Sequence, residues 1–567
     1  MDTAITLGSF AFFTGLVGFF TWRLTRGHLD DSSDNYFLAG RSLSAGVIAG
    51  SLMLTNLSTE QLVGLNGDAL RDGLSCIVWE VVASVAIVLM ALCFLPFYLR
   101  TGIATVPQFF GERIGPSVRA TTSLLFIAAY TLILLPVTLY SGARGLVGIL
   151  DMKGLLGIES EFAAVAIAVV LIGSIGSVYA IFGGLKSVAV SDTLNGLGLL
   201  VGGFLISYYA LMKVDPAGVV PAVQTLTSEH PEMFNSLGSN ETKVPFATVF
   251  TGVLLINVFY WCTNQQIIQR TFAAKSLAEG QKGVLLAGFL KLFGPLILVL
   301  PGLIAFHLHQ TGELTLPFKE SAPDVLDSDR AYGMLVRFVL PSPLTGFFAA
   351  VLIGAVLSSF NSALNSTATL FSLGVYKGMF RPDASDVATI RVGKVFGTVI
   401  AIAAMAGAPF LLRQESIFQY LQGFRSVYAI PILSLVVASI WFQKIPAWAA
   451  NLVIVLGGAG VVLHALGDQF EPALGFNLKA MTEAASVHQW HYNASVFVGT
   501  VGLLWAAAKF TPSTRVLPKR PAPPIDMTPW PLAKPAGCAI VATVFAIYIY
   551  FADVTVVDWL PWYAAGQ

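Results

Sequence analysis

Residues 257–270 place Asn257, Thr263, Asn264, Gln265, Gln266 and Gln269 beside Tyr260, Trp261 and Cys262, between flanks apolar enough to cross a bilayer. Polar side chains at that depth are costly and normally face a cavity or another helix. Amides donate and accept hydrogen bonds, and flat rings stack on apolar faces, the two contacts a sugar needs. The stretch therefore predicts a binding site for a polar solute.

A second polar island runs from Leu54 to Gly64 and carries Thr55, Asn56, Ser58, Thr59, Glu60 and Gln61. The two islands lie five spans apart, which puts their helices in opposite orientations. Secondary transporters often have inverted repeats with a broken helix at matching positions, where unwound backbone offers carbonyls to cations and amides to solute. The competing explanation is helix–helix adhesion through hydrogen bonds of about 0.6–2 kcal/mol each; two matched islands favour the site. A third stretch, 354–369, is rich in small residues that let helices approach closely. Its Ser358 and Ser359 can also offer hydroxyls to a hard monovalent cation, although by itself the stretch reads first as packing.

Composition fixes the kind of scaffold. Of 567 residues, 55% are hydrophobic and 11% charged, against about 25% charged in soluble domains. The expected fold is an all-α polytopic membrane protein of about 14 transmembrane helices, near 5–25, 44–68, 74–98, 119–149, 161–182, 188–212, 247–270, 281–308, 340–376, 390–412, 415–441, 446–467, 492–509 and 535–559. The first span starts almost at Met1, and Arg23 and Arg26 follow it, the reverse of a cleaved signal peptide.

One set of alternate loops, counting Arg270 within it, holds about 20 Lys and Arg against about 10 on the other. The first set is therefore expected to be cytoplasmic and both termini outside. Zero net charge argues against nucleic acid as a partner. Cys76, Cys93, Cys262 and Cys538 are scattered and form neither a disulfide frame nor a metal cluster. His307 and His309 make an H-x-H at a span end, read as interfacial loop residues. No Walker A sequence appears, so any driving force would be an ion gradient. No catalytic constellation converges in the spans, and an enzyme is not expected.

Several motifs agree in order with one family. Tyr36 to Leu43, the Gly183-Gly184-Leu185 signature within 179–187, and Gln269 to Ser276 with Gln281-Lys282-Gly283 resemble the solute:sodium symporters, in particular the sodium/sugar branch, galactose symporters among it. The resemblance is strongest over residues 30 to 440. It implies a LeuT-like inverted 5+5 helix repeat with flanking helices: an extra helix in 1–30, a first repeat in 31–213, an extracellular loop in 214–246, a second repeat in 247–441, and additional helices in 442–567.

By position in the family, sodium would be held by carbonyls of Leu54, Leu57 and Ala355 and hydroxyls of Ser358 and Ser359, with Asp192 on the ion's inward exit. The sugar would meet Asn56, Gln61, Glu80, Asn257, Lys291 and Gln422, with Tyr260 and Trp261 at an inner gate and Leu65 and Phe418 at an outer one. Gln269 and Arg270 would mark the cytoplasmic exit. The chain departs from the family's galactose pattern at Ala83, Leu65, Cys262, Thr263 and Arg425. The resemblance thus implies sodium-coupled import of a hexose such as galactose or glucose, by a monomer in a bacterial inner membrane. The alternatives are another polar solute (polyol, nucleoside or organic anion), proton coupling, or a non-transporting solute sensor.

Overall fold

A computed structural model of the chain describes residues 2–25, 32–150, 152, 154, 157–319, 322–326, 328–413, 417–442, 444–465, 467, 471, 476–515 and 525–556. Helix dominates, with one short antiparallel pair, Phe318–Lys319 against Ala322–Leu326. Among the described residues eleven helices are long and apolar enough to cross a membrane, and a bent pair makes a twelfth. The expected fourteen is reached only by adding two shorter apolar helices, Ala45–Asn56 and Gly252–Cys262, each continued by another helix across a break. The protein is a multi-pass membrane protein.

Helix α1 spans Asp2–Thr25, α2 Ala45–Asn56 and α3 Thr59–Asp72. The break between α2 and α3 follows from local chemistry. Asn and Ser are poor helix-interior residue types, and after Asn56 the chain leaves the helix, Ser58 taking extended angles (φ −83°, ψ 166°) that start a new one. The second break is built the same way. Helix α4 is Gly252–Cys262 and α5 is Gln265–Phe272. Between them Asn264 turns extended (φ −69°, ψ 117°) and caps α5 by accepting from the Gln266 N–H.

The chain also bends where residues 161 to 214 are assigned as one helix. Gly176 packs on Phe360 and Asn361, whereas Asn195 packs on Gly354. A straight helix would separate 176 from 195 by about 28 Å, while 354 and 361 are only about 10 Å apart. The helix must therefore fold back between these two points, giving the two expected spans. A smaller bend of 45° separates Leu277–Lys291 from Pro295–Gln310. Gly294 and Pro295 account for it, since proline removes a helix donor and clashes with the preceding turn.

Helix α6 is Leu277–Lys291 and α7 is Leu300–Gln310; α8, Ser342–Thr369, is buried along nearly its whole length. It packs against α1, α2 and both limbs of the 161–214 helix, which explains its run of small residues. A π-helical turn, Tyr130–Leu134, lies in the span that follows Pro116. Such turns rotate the helix face and recur at functional sites; here the turn brings Tyr130 onto the α4–α5 break and Leu134 onto the cavity described next.

Candidate functional site

A cavity, about 810 Å³ with its open mouth included, lies at the level of the two breaks, on the side toward Leu65 of α3 and Asn257 of α4. Asn56, Gln61, Leu65, Asn257, Tyr260 and Trp261, all named from sequence, line it. Thr55, Ser58, Trp79, Thr138, Asn264, Gln266, Ser359, Arg425 and Tyr428 complete much of the wall. Three of its polar atoms, Gln61 Oε1, Thr138 Oγ1 and Ser359 Oγ, are buried without a hydrogen-bond partner. Buried polar atoms are rarely left so. Rings stand beside them: Tyr260 meets Trp261 edge-on at 5.4 Å, and the Arg425 guanidinium lies 5.4 Å from the Tyr260 ring centre.

Glu80 and Lys291 were expected to touch the solute, but neither is among the residues lining the cavity. Both are fully buried behind its wall, paired at 2.6 Å. Lys291 also donates to Asn56 Oδ1 and sits 5.9 Å from the Trp261 ring centre. The geometry makes the ion pair a positioning device for Asn56 and Trp261. The backbone there leaves little room, because a methyl group at Gly294 would overlap the Glu80 carboxylate. The side chains of Gln422 and Phe418 lie outside the described residues.

The lower end of the cavity meets the positions expected to hold a cation. A continuous helix would give the Ser58 N–H to the Leu54 carbonyl and the Gln61 N–H to Leu57. Instead Ser58 donates to Asn56 (2.7 Å) and Gln61 to Ser58 (3.1 Å), which frees the Leu54 and Leu57 oxygens. Across from them on α8, Ala355, Ser358 and Ser359 are buried, and the Ser359 hydroxyl has no hydrogen-bond partner. Gln266 donates to the Ser359 carbonyl at 3.1 Å, tying α5 to this point.

Beyond that level the protein is sealed by a buried polar network. Asp192 accepts from Ser51 (2.8 Å), Thr55 (3.4 Å) and Arg270 (3.1 Å). Arg270 also donates to Ser51 Oγ at 2.6 Å, to the Gln266 carbonyl and to Ser362. The expectation of a cytoplasmic loop position for Arg270 is overturned: its side chain is 1% exposed. A positive charge so deep is tolerable only because its donors are matched to a carboxylate and oxygens. Gln269 is equally committed, donating to the Phe37 carbonyl and Thr369 (both 2.9 Å) and accepting from Ser366 (2.9 Å). The cavity therefore lies on one side of the breaks only.

Sequence reading missed Tyr130, Thr138 and Tyr428. The Tyr130 hydroxyl bonds the Asn264 side chain and accepts from the Gln266 N–H at 3.2 Å, bracing the break. No motif flags these residues; only the π turn and the packing bring them to the cavity.

Two helices broken at one depth, around a polar cavity closed below, define a secondary transporter of LeuT-like fold. The sodium:solute symporter family model matches residues 36–457. The chain is similar to an uncharacterized symporter, YidK, of Escherichia coli K12, with 39% identity over 96% of this chain and 90% of that one. It is 31% identical to the sodium/glucose cotransporter of Vibrio parahaemolyticus over 78% of this chain and 80% of that one. Among solved structures, a Na+-coupled sialic acid symporter in its substrate-bound outward-open state superposes with a TM-score of 0.70, at 19% identity over 91% of this chain and 99% of that one. The chain belongs to the sodium:solute symporter family, and sodium is its co-transported ion.

Proposed function

We propose that the protein imports a sugar, a hexose such as galactose or glucose, on the sodium gradient across a bacterial inner membrane. The observation that carries this reading is a cavity lined by Asn56, Gln61, Thr138 and Asn257 beside Tyr260 and Trp261, with Gln61 Oε1 and Thr138 Oγ1 left without a hydrogen-bond partner. Amides and hydroxyls match the ring hydroxyls, and Tyr260 offers a face for the apolar side of the pyranose. Sodium is held by the carbonyls of Leu54, Leu57 and Ala355 with the hydroxyls of Ser358 and Ser359. Its presence there orders the α2–α3 break, so that Asn56 and Gln61 face the solute. Sodium and sugar then raise each other's affinity by the same factor. Tyr260 and Trp261 form the inner gate and Leu65 with Phe418 the outer, while Asp192 takes the ion inward once the network around Arg270 parts. The two repeats run through 31–213 and 247–441, both termini are periplasmic, and the monomer suffices.

A second reading has its own observation. Arg425 is the only charged side chain among the described residues lining the cavity. One cation in a polar wall favours a sugar that carries a carboxylate or another acidic group. A binding panel of neutral hexoses, polyols, nucleosides and acidic sugars, competed against one another with and without sodium, separates the two. Preference for a neutral hexose supports the first reading; preference for the acidic sugars, lost in Arg425→Thr, replaces it with the second.

Two substitutions test the assignments. Ser359→Ala is expected to raise the sodium concentration for half-maximal binding about tenfold, which is about 1.4 kcal/mol. Stability should hardly change, because the hydroxyl removed has no protein partner. Unaltered sodium activation would remove Ser359 from the cation's shell. Gln61→Ala is expected to weaken solute binding about tenfold or more, since a site built to hydrogen-bond its ligand discriminates strongly. Equal affinity in the variant would take Gln61 out of the solute site.

A further inference from the structure

On the far side of the cavity from the buried network, the loop helix Val219–Glu229 and helix α7 bring three metal-ligating side chains together. The His230 Nε2 lies 3.2 Å from His307 Nδ1, and Glu229 Oε2 lies 3.5 Å from the same nitrogen. All three ligand atoms fall within 4.8 Å of one another. In a tetrahedral zinc site with bonds of about 2.0–2.1 Å, neighbouring ligand atoms stand about 3.3 Å apart. The two spacings made by His307 Nδ1, 3.2 and 3.5 Å, bracket that value, and the third is no more than 4.8 Å.

The other ring nitrogen of His230, Nδ1, lies 3.8 Å from the exposed Glu232 carboxylate, close enough to favour a positive charge nearby but too far for a hydrogen bond. Access is graded in the same sense. His307 is nearly buried, His230 intermediate, and Glu229 half exposed, which leaves a fourth position for water.

We infer that Glu229, His230 and His307 form a site for a divalent transition-metal ion, zinc(II) in the first place, separate from the sodium and solute positions. The H-x-H pair of the sequence does not act together. Successive odd positions fall on different faces of a helix, and His309 is instead occupied with the 314–316 turn, where its Nδ1 lies 3.1 Å from the Leu314 carbonyl. A bound ion ties the loop helix to α7. That helix packs tightly on α3, with Gly302 against the Asn66 carbonyl, so the ion restrains an element that borders the cavity.

The test uses the full-length protein in detergent with zinc chloride, in competition with a chromophoric chelator, and measures thermal unfolding on the same samples. Zinc is expected to bind at one equivalent per chain more tightly than at the other histidines and to raise the unfolding temperature. His230→Ala and His307→Gln should each weaken that equivalent at least about tenfold and abolish the thermal shift. His309→Ala should leave both unchanged. Zinc affinity and thermal shift retained in His230→Ala, the variant least able to disturb folding, would overturn the site, as would equal loss in His309→Ala.

Discussion

Lys291→Ala is expected to destabilise the protein by about 3–5 kcal/mol, the cost of leaving one member of a buried ion pair without its partner. Lys291 and Glu80 are both 0% exposed, and the second oxygen of Glu80 already has no hydrogen-bond partner. Removing the ammonium therefore leaves a whole carboxylate unsatisfied and takes a donor from Asn56. The double variant Glu80→Leu with Lys291→Met should recover most of the loss, because an apolar pair of similar volume is often neutral or better than a buried ion pair. It should not recover solute binding, since Asn56 has still lost its support. Thermal unfolding of the purified protein and solute binding, measured together, separate stability from positioning. Wild-type stability in Lys291→Ala would contradict the pairing, and restored binding in the double variant would contradict the positioning role.

Arg270→Met is expected to have the second large effect, and of a different kind. Arg270 donates to Ser51, Asp192, Ser362 and the Gln266 carbonyl, and so joins four separate elements below the cavity. Hydrogen bonds to charged groups contribute about 1.5–3 kcal/mol each. If only about 2.8 kcal/mol of this belongs to the closed arrangement, its loss raises the open population about a hundredfold. A cysteine in place of Ser366, now 1% exposed, reports the opening. With the exposed Cys93 and Cys538 first replaced by serine, that thiol should resist an impermeant reagent in the parent and react in the Arg270→Met background. Adding Asp192→Asn should restore stability but not closure. Equal protection of the thiol in both backgrounds would remove the network from the inner seal.

The islands at 54–64 and 257–270 were legible because polar side chains are so improbable in a span that their presence is itself information. The breaks at Ser58 and Asn264 follow from residue types that compete for backbone hydrogen bonds, and those are visible in sequence too. What could not be read was direction. Glu80 and Lys291 were assigned to the solute by position in a family, yet sequence does not say which side chains line a cavity, and here both stand directly behind the wall, with Lys291 bonded to the lining Asn56. Arg270 was counted as a loop charge because a topology count tallies charges without knowing their partners; Asp192 and Ser51 supply them from helices far away in the chain. Tyr130 reaches the α4–α5 break through a π turn, which leaves no periodic mark in an apolar run. The two limbs of 161–214 were legible as separate spans from hydropathy, and the contacts of Gly176 and Asn195 with α8 require the bend between them.

Sodium coupling of solute uptake is the claim on which the rest depends. In proteoliposomes holding the purified protein, an inward sodium gradient should drive a labelled hexose above its external concentration, and a sodium ionophore should abolish that accumulation. A proton gradient of equal size should not replace sodium. Accumulation that survives the ionophore, or that follows the proton gradient instead, would contradict the account.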